Sequence, residues 1–241
     1  MKGIILAGGT GSRLYPITKV TNKCLLPVGK EPMIFRMLDI LKKSNIDDVM
    51  LITGPEHMGD VISLLGSGAD HGCSMTYRVQ DQANGIAAAL KMCASFAKNE
   101  KFVVILGDNI FSDNQEIATS IKKFKTSQDD YQLFIKSVLD PQRFGVPVFD
   151  AQGSVIDIIE KPKNPSCNKA VVGVYCYTDE VFRIIENLKP SQRGEYEISD
   201  VNSWLVKNKS GNFVDINCEW IDAGTHESYK KANELAWSVS E

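Results

Sequence analysis

Gly3-Ile4-Ile5-Leu6-Ala7 runs without a break into Gly8-Gly9-Thr10-Gly11-Ser12-Arg13-Leu14. The short apolar run reads as a buried strand, and a glycine-rich loop follows at once. In an open α/β sheet, loops at the carboxyl ends of strands are where ligands bind. Bare glycines there let backbone N–H groups approach phosphate oxygens. Two familiar phosphate loops do not fit. A dinucleotide fingerprint needs a third glycine where Leu14 stands, and a P-loop needs Lys-Ser/Thr after its last glycine. Arg13 stands there instead, and a guanidinium beside bare amides suits the terminal phosphates of a triphosphate. A plain tight turn is the alternative.

Outward from this stretch, strand patterns at 48–53, 75–79 and 102–106 alternate with helical patterns over 31–44, 58–65 and 86–96. In the first helical pattern Pro32 suits the opening turn, and Met33, Met37, Ile40 and Leu41 recur at helical spacing. This alternation marks a parallel sheet with helices on both faces. Further strand patterns at 131–138, 146–149, 155–160 and 171–177 are linked by short turns and predict an antiparallel extension or a smaller second sheet. Helical patterns return over 179–188, 197–207 and 226–238. One α/β unit with an elaborated C-terminal portion is expected.

With 43% hydrophobic and 24% charged residues in 241, the chain has the composition of a globular protein able to bury a core without staples. The net charge of −3 speaks against a protein that coats nucleic acid or an anionic membrane, while leaving room for a local basic pocket. No stretch approaches the ~20 apolar residues of a membrane helix, so no membrane and no nucleic acid partner is expected. The six cysteines are scattered without a Cys-x-x-Cys pair, and the three histidines do not pair at zinc-ligand spacing. The cysteines read as reduced thiols of a cytoplasmic protein. Cys24 is a packing residue or, beside Lys23, a reactive one.

Four further motifs carry chemistry. Lys23, in Asn22-Lys23-Cys24-Leu25-Leu26-Pro27-Val28, is a solvated lysine or a second cation for the same phosphates. Leu106-Gly107-Asp108-Asn109 closes the most hydrophobic strand, where a carboxylate needs a partner. Mg²⁺, which takes one or two carboxylates plus phosphate oxygens, supplies one; a turn cap is the other reading. Asp222, in Trp220-Ile221-Asp222-Ala223-Gly224, is a second metal carboxylate or ordinary Asp-x-Gly turn chemistry. The adjacent acid and base of Ile159-Glu160-Lys161-Pro162 are expected to diverge, one toward a sugar hydroxyl and one toward a phosphate, or to form a surface ion pair.

Taken together, residues 2–18 with Lys23 and Leu25-Leu26-Pro27-Val28, then Leu106-Gly107-Asp108-Asn109-Ile110-Phe111, Arg143-Phe144-Gly145-Val146, Glu160-Lys161-Pro162, Arg193-Gly194-Glu195 and Asp222-Ala223-Gly224-Thr225-His226-Glu227-Ser228, resemble the sugar-1-phosphate nucleotidylyltransferases from end to end. The resemblance implies a Rossmann-like three-layer α/β fold with a mixed, mostly parallel sheet and a small antiparallel extension, in a single domain whose nucleotide-binding part is at about 1–110 and whose sugar-binding part is at about 111–241. It implies a transferase that moves a thymidylyl group from dTTP to α-glucose 1-phosphate, with Mg²⁺ as cofactor, in a homo-oligomer, dimer or tetramer. By position, Leu6, Gly8, Gly9, Thr10, Gly11 and Ser12 would enclose the nucleotide, while Arg13 and Lys23 would hold its phosphates. Gln80 and Gly85 would meet the base, and Asp108 and Asp222 would bind the metal. Lys161 would hold the sugar phosphate, with Asn109, Gly145, Glu160, Val172 and Arg193 around the sugar. Val172 and Phe144 stand where the family carries hydroxyls. Uridylyl or cytidylyl transfer, or another hexose 1-phosphate, is the alternative. A silent nucleotide-sugar sensor would lack a metal carboxylate or phosphate cation. An NAD-binding oxidoreductase fails at Leu14 and at Thr53-Gly54-Pro55, where a ribose-binding acid is required.

Overall fold

Both faces of strand β1 (Lys2–Ala7) are buried, as its unbroken apolar character requires of a strand covered on each side. In the computed structural model, which describes residues 1–238, a short hairpin of β2 (Pro27–Val28) and β3 (Glu31–Pro32) leads into α1 (Met33–Lys43). There follow β4 (Asp48–Thr53), α2 (Met58–Leu65), β5 (Ser74–Val79), α3 (Ile86–Lys91), β6 (Phe102–Leu106), β7 (Asn109–Phe111) and α4 (Asn114–Thr126). The second half contributes β8 (Tyr131–Ser137), β9 (Gly145–Phe149), β10 (Val155–Glu160), β11 (Lys169–Tyr177), α5 (Val181–Glu186) and α6 (Ile198–Asn208). It closes with β12 (Gly211–Asp215), β13 (Trp220–Asp222) and α7 (His226–Ser238).

Seven strands form one sheet in the order β12-β8-β11-β6-β1-β4-β5. Only β11 runs antiparallel to its neighbours β6 and β8; every other pairing is parallel. Period-two alternation gives the sheet two cores. Ile5, Ala7, Val103 and Ile105 pack with Met37, Val61, Ile121, Phe124 and Ala232 from α1, α2, α4 and α7 on one side. Ile4, Leu6, Phe102 and Val104 pack with Leu90, Ile185, Val201 and Leu205 from α3, α5 and α6 on the other. The chain leaves β1 toward β4 and β5, then returns to place β6 on the other flank of β1. That reversal opens a crevice at the carboxyl ends of β1 and β6.

The three-layer fold and its mixed sheet are as anticipated, with four differences of detail. Segments 131–138 and 171–177 join the main sheet as β8 and β11, because β6 leaves an edge that they cover. Of the four segments, only 146–149 and 155–160 form a separate antiparallel ribbon, as β9 and β10. Pro32 is extended (φ −53°, ψ 141°) and precedes the helix rather than opening its first turn. The helix at 86–96 ends at Lys91, after which three-residue turns take over, as in Phe96 N–H to Cys93 O at 2.9 Å. The five short strands β2, β3, β7, β12 and β13 and the helix α4 went unread, although α4 carries a helical pattern in Ile117, Ile121 and Phe124. Asp113 caps it, its carboxylate accepting from the N–H groups of Gln115 (2.8 Å) and Glu116 (3.3 Å). Asp113→Ala therefore lowers unfolding free energy by about 1 kcal/mol, to be read from the midpoint of a urea melt with unchanged slope.

Candidate active site

The glycine loop, the end of β6, β13 and the β9–β10 ribbon surround one cavity of about 630 Å³. Gly11 adopts φ +64°, which a glycine takes without strain and which turns the loop back toward the cavity. Leu6, Gly8, Gly9, Thr10, Gly11, Ser12 and Arg13 line one wall. Lys23 enters from a short turn that Asn22 pins in place. Asn22 Nδ2 donates to Ala7 O (2.9 Å) and Thr53 Oγ1 (3.0 Å), and its Oδ1 accepts from Cys24 N–H (2.8 Å). Asn22 carries no charge and gave the sequence reading nothing to assign.

The acids that the sequence separates meet here. β7 pairs antiparallel with β13, Asp222 opposite Asn109, and Ala223 N–H donates to Asp108 O at 2.8 Å. Lys23 Nζ forms a buried ion pair with Asp108 Oδ2, and Asn109 Nδ2 donates to Asp108 Oδ1 at 3.0 Å. Asn109 Oδ1 accepts from Gly173 N–H (2.9 Å) and Trp220 Nε1–H (2.7 Å). Thus Asn109 lines the cavity, yet its side chain is engaged by the protein and orients Asp108. Gly173 permits this: a Cβ there would stand 2.5 Å from Asn109 Oδ1.

Burial pushes the Asp108 carboxyl upward, but the charge and hydrogen bond of Lys23, aided by Asn109, hold it below the usual carboxylate range. Asp222 goes the other way. Its burial and the charge of Asp108 raise it, against the weaker pull of Lys23 and Arg13. Lys23 is raised: burial disfavours its ammonium, and Asp108 more than restores it. Cys24 is fully buried and burial pushes its thiol up to about 12, so it is a packing residue and not a thiolate nucleophile. Two facing carboxylates, one of them held charged against its neighbour's field, are a donor set suited to a hard divalent cation. Among the described residues no group of three or more His, Cys, Asp or Glu gathers as a metal cage. A cation here would draw its other ligands from substrate and solvent.

The opposite wall is built by β9, β10 and α6. Glu160 lies opposite Gly145 in the ribbon, and its Oε2 accepts from Ser199 Oγ at 2.5 Å. Lys161 has φ +43°, an uncommon conformation for a non-glycine residue and one that precedes Pro162. This twist overturns the expected divergence: Lys161 Nζ sits 3.4 Å from Glu160 Oε1, and both face the cavity. Arg193 joins Glu160 (3.5 Å), Glu195 (3.1 Å) and Glu197 (2.8 Å), tying the segment before α6 to the ribbon. At the far end, Gln80, half-buried Gly85 and Ile86 complete the lining. The two ends are linked: Tyr196 N–H donates to Asn84 O (2.9 Å), and Ala87 N–H donates to Tyr196 O (3.2 Å).

One predicted site residue does not reach the cavity. Val172 is fully buried in the opposite core, while its neighbours Val171 and Gly173 face the site, because alternate residues of β11 point to opposite faces. Its missing hydroxyl therefore has no bearing on the cavity. Sequence reading also passed over Tyr175, Ser199, Asn202 and Trp220, which line it. The period of two along β11 was enough to find Tyr175; the others depend on how α6 and β13 pack. Asn202 accepts from Tyr177 OH, and its buried Nδ2 has no hydrogen-bond partner among the described residues, leaving a donor beside the cavity.

This arrangement of bare amides, a lysine paired to a buried aspartate and a second acid beside it, at a sheet switch point, belongs with nucleotidyl transfer. The family model for nucleotidyl transferases matches residues 2–238, and the chain belongs to that family. Among its relatives is a glucose-1-phosphate thymidylyltransferase of Neisseria meningitidis serogroup A, 39% identical over 99% of this chain and 83% of that one. One from Mycobacterium tuberculosis is 40% identical over 98% of this chain and 82% of the other. The fold superposes with a TM-score of 0.92 on a candidate glucose-1-phosphate thymidylyltransferase from Bacillus anthracis solved with sucrose, 54% identical over 98% of this chain and 95% of that one.

The opposite shifts of the two acids predict opposite stabilities. Asp108→Asn strips Lys23 of its buried partner and costs about 3 kcal/mol. In metal-free protein at neutral pH, Asp222→Asn removes a charge the fold opposes and raises the melting temperature by about 2–4 °C. Because the folded pKa of Asp222 lies above its unfolded value, the penalty exists at neutral pH and fades as pH falls through the folded pKa. The gain from Asp222→Asn therefore shrinks on acidification, to be followed by calorimetry in chelator across pH 8 to 4.

Proposed function

We propose that the protein transfers a thymidylyl group from dTTP to α-glucose 1-phosphate, giving dTDP-glucose and pyrophosphate. The observation that carries this is the position of the Lys23–Asp108–Asp222 cluster. It lies between a glycine loop able to wrap phosphates and a wall holding Glu160 and Lys161 together. The names of the relatives at 39–54% identity support the choice of base and sugar.

An oxygen of the sugar phosphate attacks the α-phosphorus of the nucleotide, and the bond to pyrophosphate breaks. Both partners are anions, so the protein's task is neutralisation and alignment rather than proton abstraction. The backbone of residues 8–12 receives the nucleotide's phosphates, and Arg13 and Lys23 offset the charge that builds on the leaving group. Lys161 holds the phosphate of the sugar. Glu160, fixed by Ser199 and Arg193, accepts from sugar hydroxyls beside the backbone of Gly145. Gln80 meets the edge of the base over Gly85. Asp108 and Asp222 would hold Mg²⁺, whose chemistry here is to draw charge from the phosphate oxygens as a Lewis acid.

Pyrophosphate release is expected with dTTP and glucose 1-phosphate, lost on chelation and restored by Mg²⁺. Asp108→Asn and Asp222→Asn each cut turnover by orders of magnitude. Lys161→Ala raises KM for the sugar phosphate roughly 10–100-fold, the worth of one charged hydrogen bond, and leaves that for dTTP within about twofold. Equal changes for both substrates would remove Lys161 from the sugar phosphate.

A further inference from the structure

The geometry around Gln80 points to Asn84 as the residue that fixes which way the Gln80 amide faces, and so the choice between bases that carry N3–H and cytosine, whose N3 is bare. This inference rests on Gln80 as the base-reading residue proposed above. Gln80 follows β5, is buried, and lines the cavity; its N–H donates to Thr53 O at 2.9 Å. Its side-chain Nε2 donates to Asn84 Oδ1 at 3.0 Å. Its Oε1 lies over the glycine loop, 2.7 Å from where a Cβ on Gly8 would stand. Asn84 is half-buried and stands behind Gln80, with Ala83 and Gly85 rather than Asn84 in the cavity lining. Its backbone is held at both ends, N–H to Gln82 O (2.9 Å) and O from Tyr196 N–H (2.9 Å). Asn84 is therefore a positioning residue.

A primary amide offers two donors on nitrogen and an acceptor oxygen. With one donor engaged by Asn84, Gln80 presents Oε1 and its second N–H to a ligand. That pair complements the N3–H and C4=O of thymine and uracil. Cytosine has an acceptor at N3 and an amino group at C4, so reading it requires the Gln80 amide to turn over. Turned over, Gln80 Oε1 meets Asn84 Oδ1, acceptor against acceptor, unless the Asn84 amide turns with it. An aspartate at 84 has no donor to turn. A leucine has no polar group at all and leaves Gln80 free in either orientation.

The test is an ordering. The ratio of kcat/KM for dTTP over dCTP, with glucose 1-phosphate saturating, should fall about tenfold in Asn84→Leu, the worth of one hydrogen bond. In Asn84→Asp it should hold or rise. The dTTP over UTP ratio should stay constant across all three proteins, because both bases offer this amide the same edge. A residue that merely supports the loop would lower kcat/KM for every nucleotide alike and move no ratio. An unmoved dTTP/dCTP ratio in Asn84→Leu, or an equal erosion in Asn84→Asp, overturns the inference and leaves the proposed reaction standing. If Asn84→Leu fails to fold, an eroded ratio in Asn84→Asp alone overturns it, and a held or raised one supports it. Wild-type protein that releases no pyrophosphate from dTTP overturns the proposed reaction and this inference with it.

Discussion

A lysine and an aspartate buried side by side at the end of the most hydrophobic strand organise this molecule. Taking either charge out of water alone would cost several kcal/mol. Lys23 and Asp108 are kept there because each satisfies the other, because Asn109 donates to the aspartate and because Asn22 holds the turn that carries the lysine. Asn22 ties the lysine turn to the ends of β1 and β4, and Asn109 ties the aspartate to β11 and β13. The carboxylate of Asp222 adds a second negative charge that this arrangement does not neutralise. The folded protein thus gathers two carboxylates with Lys23 and Arg13 at one point of its cavity. Such a site suits the cation and the polyanions that we propose meet there.

Topology makes that juxtaposition possible. Only a chain that reverses its winding at β1 leaves a crevice between β1 and β6. Only a short antiparallel pair outside the sheet, β7 with β13, carries Asp222 to the side of Asp108. The single antiparallel strand of the sheet, β11, then offers its first half to the same crevice and supplies Gly173 to Asn109.

Much of this is legible in the sequence where chemistry and local pattern coincide. The strand-loop at 3–14 gives both the fold and the cavity wall proposed for the phosphates, since glycine suits a turn and a close backbone approach alike. Asp108, Asp222, Glu160 and Lys161 are legible as charges in places where charge is costly. What escapes is whatever depends on a side chain's direction or on a partner distant in the chain. Val172 was placed in the site by the resemblance, where the family carries a hydroxyl, and one step of strand alternation removes it. Glu160 and Lys161 were open to parting or to pairing, and with a left-handed backbone turn before Pro162 they pair. Asn22 and Asn202 are neutral, so only their hydrogen-bonding surroundings reveal them. Helix α4 was missed for a different reason, its apolar positions being sparse among lysines and polar residues.

Tyr196 joins the loop at the base end to the segment at the sugar end through its own N–H and C=O. The two recognition surfaces are therefore not modules that can be exchanged one at a time. The stretch carrying Arg193 is coupled through the backbone of the single residue Tyr196 to Asn84 and Ala87. On the proposed reaction, a change of hexose preference in such a scaffold would bear on pyrimidine preference as well.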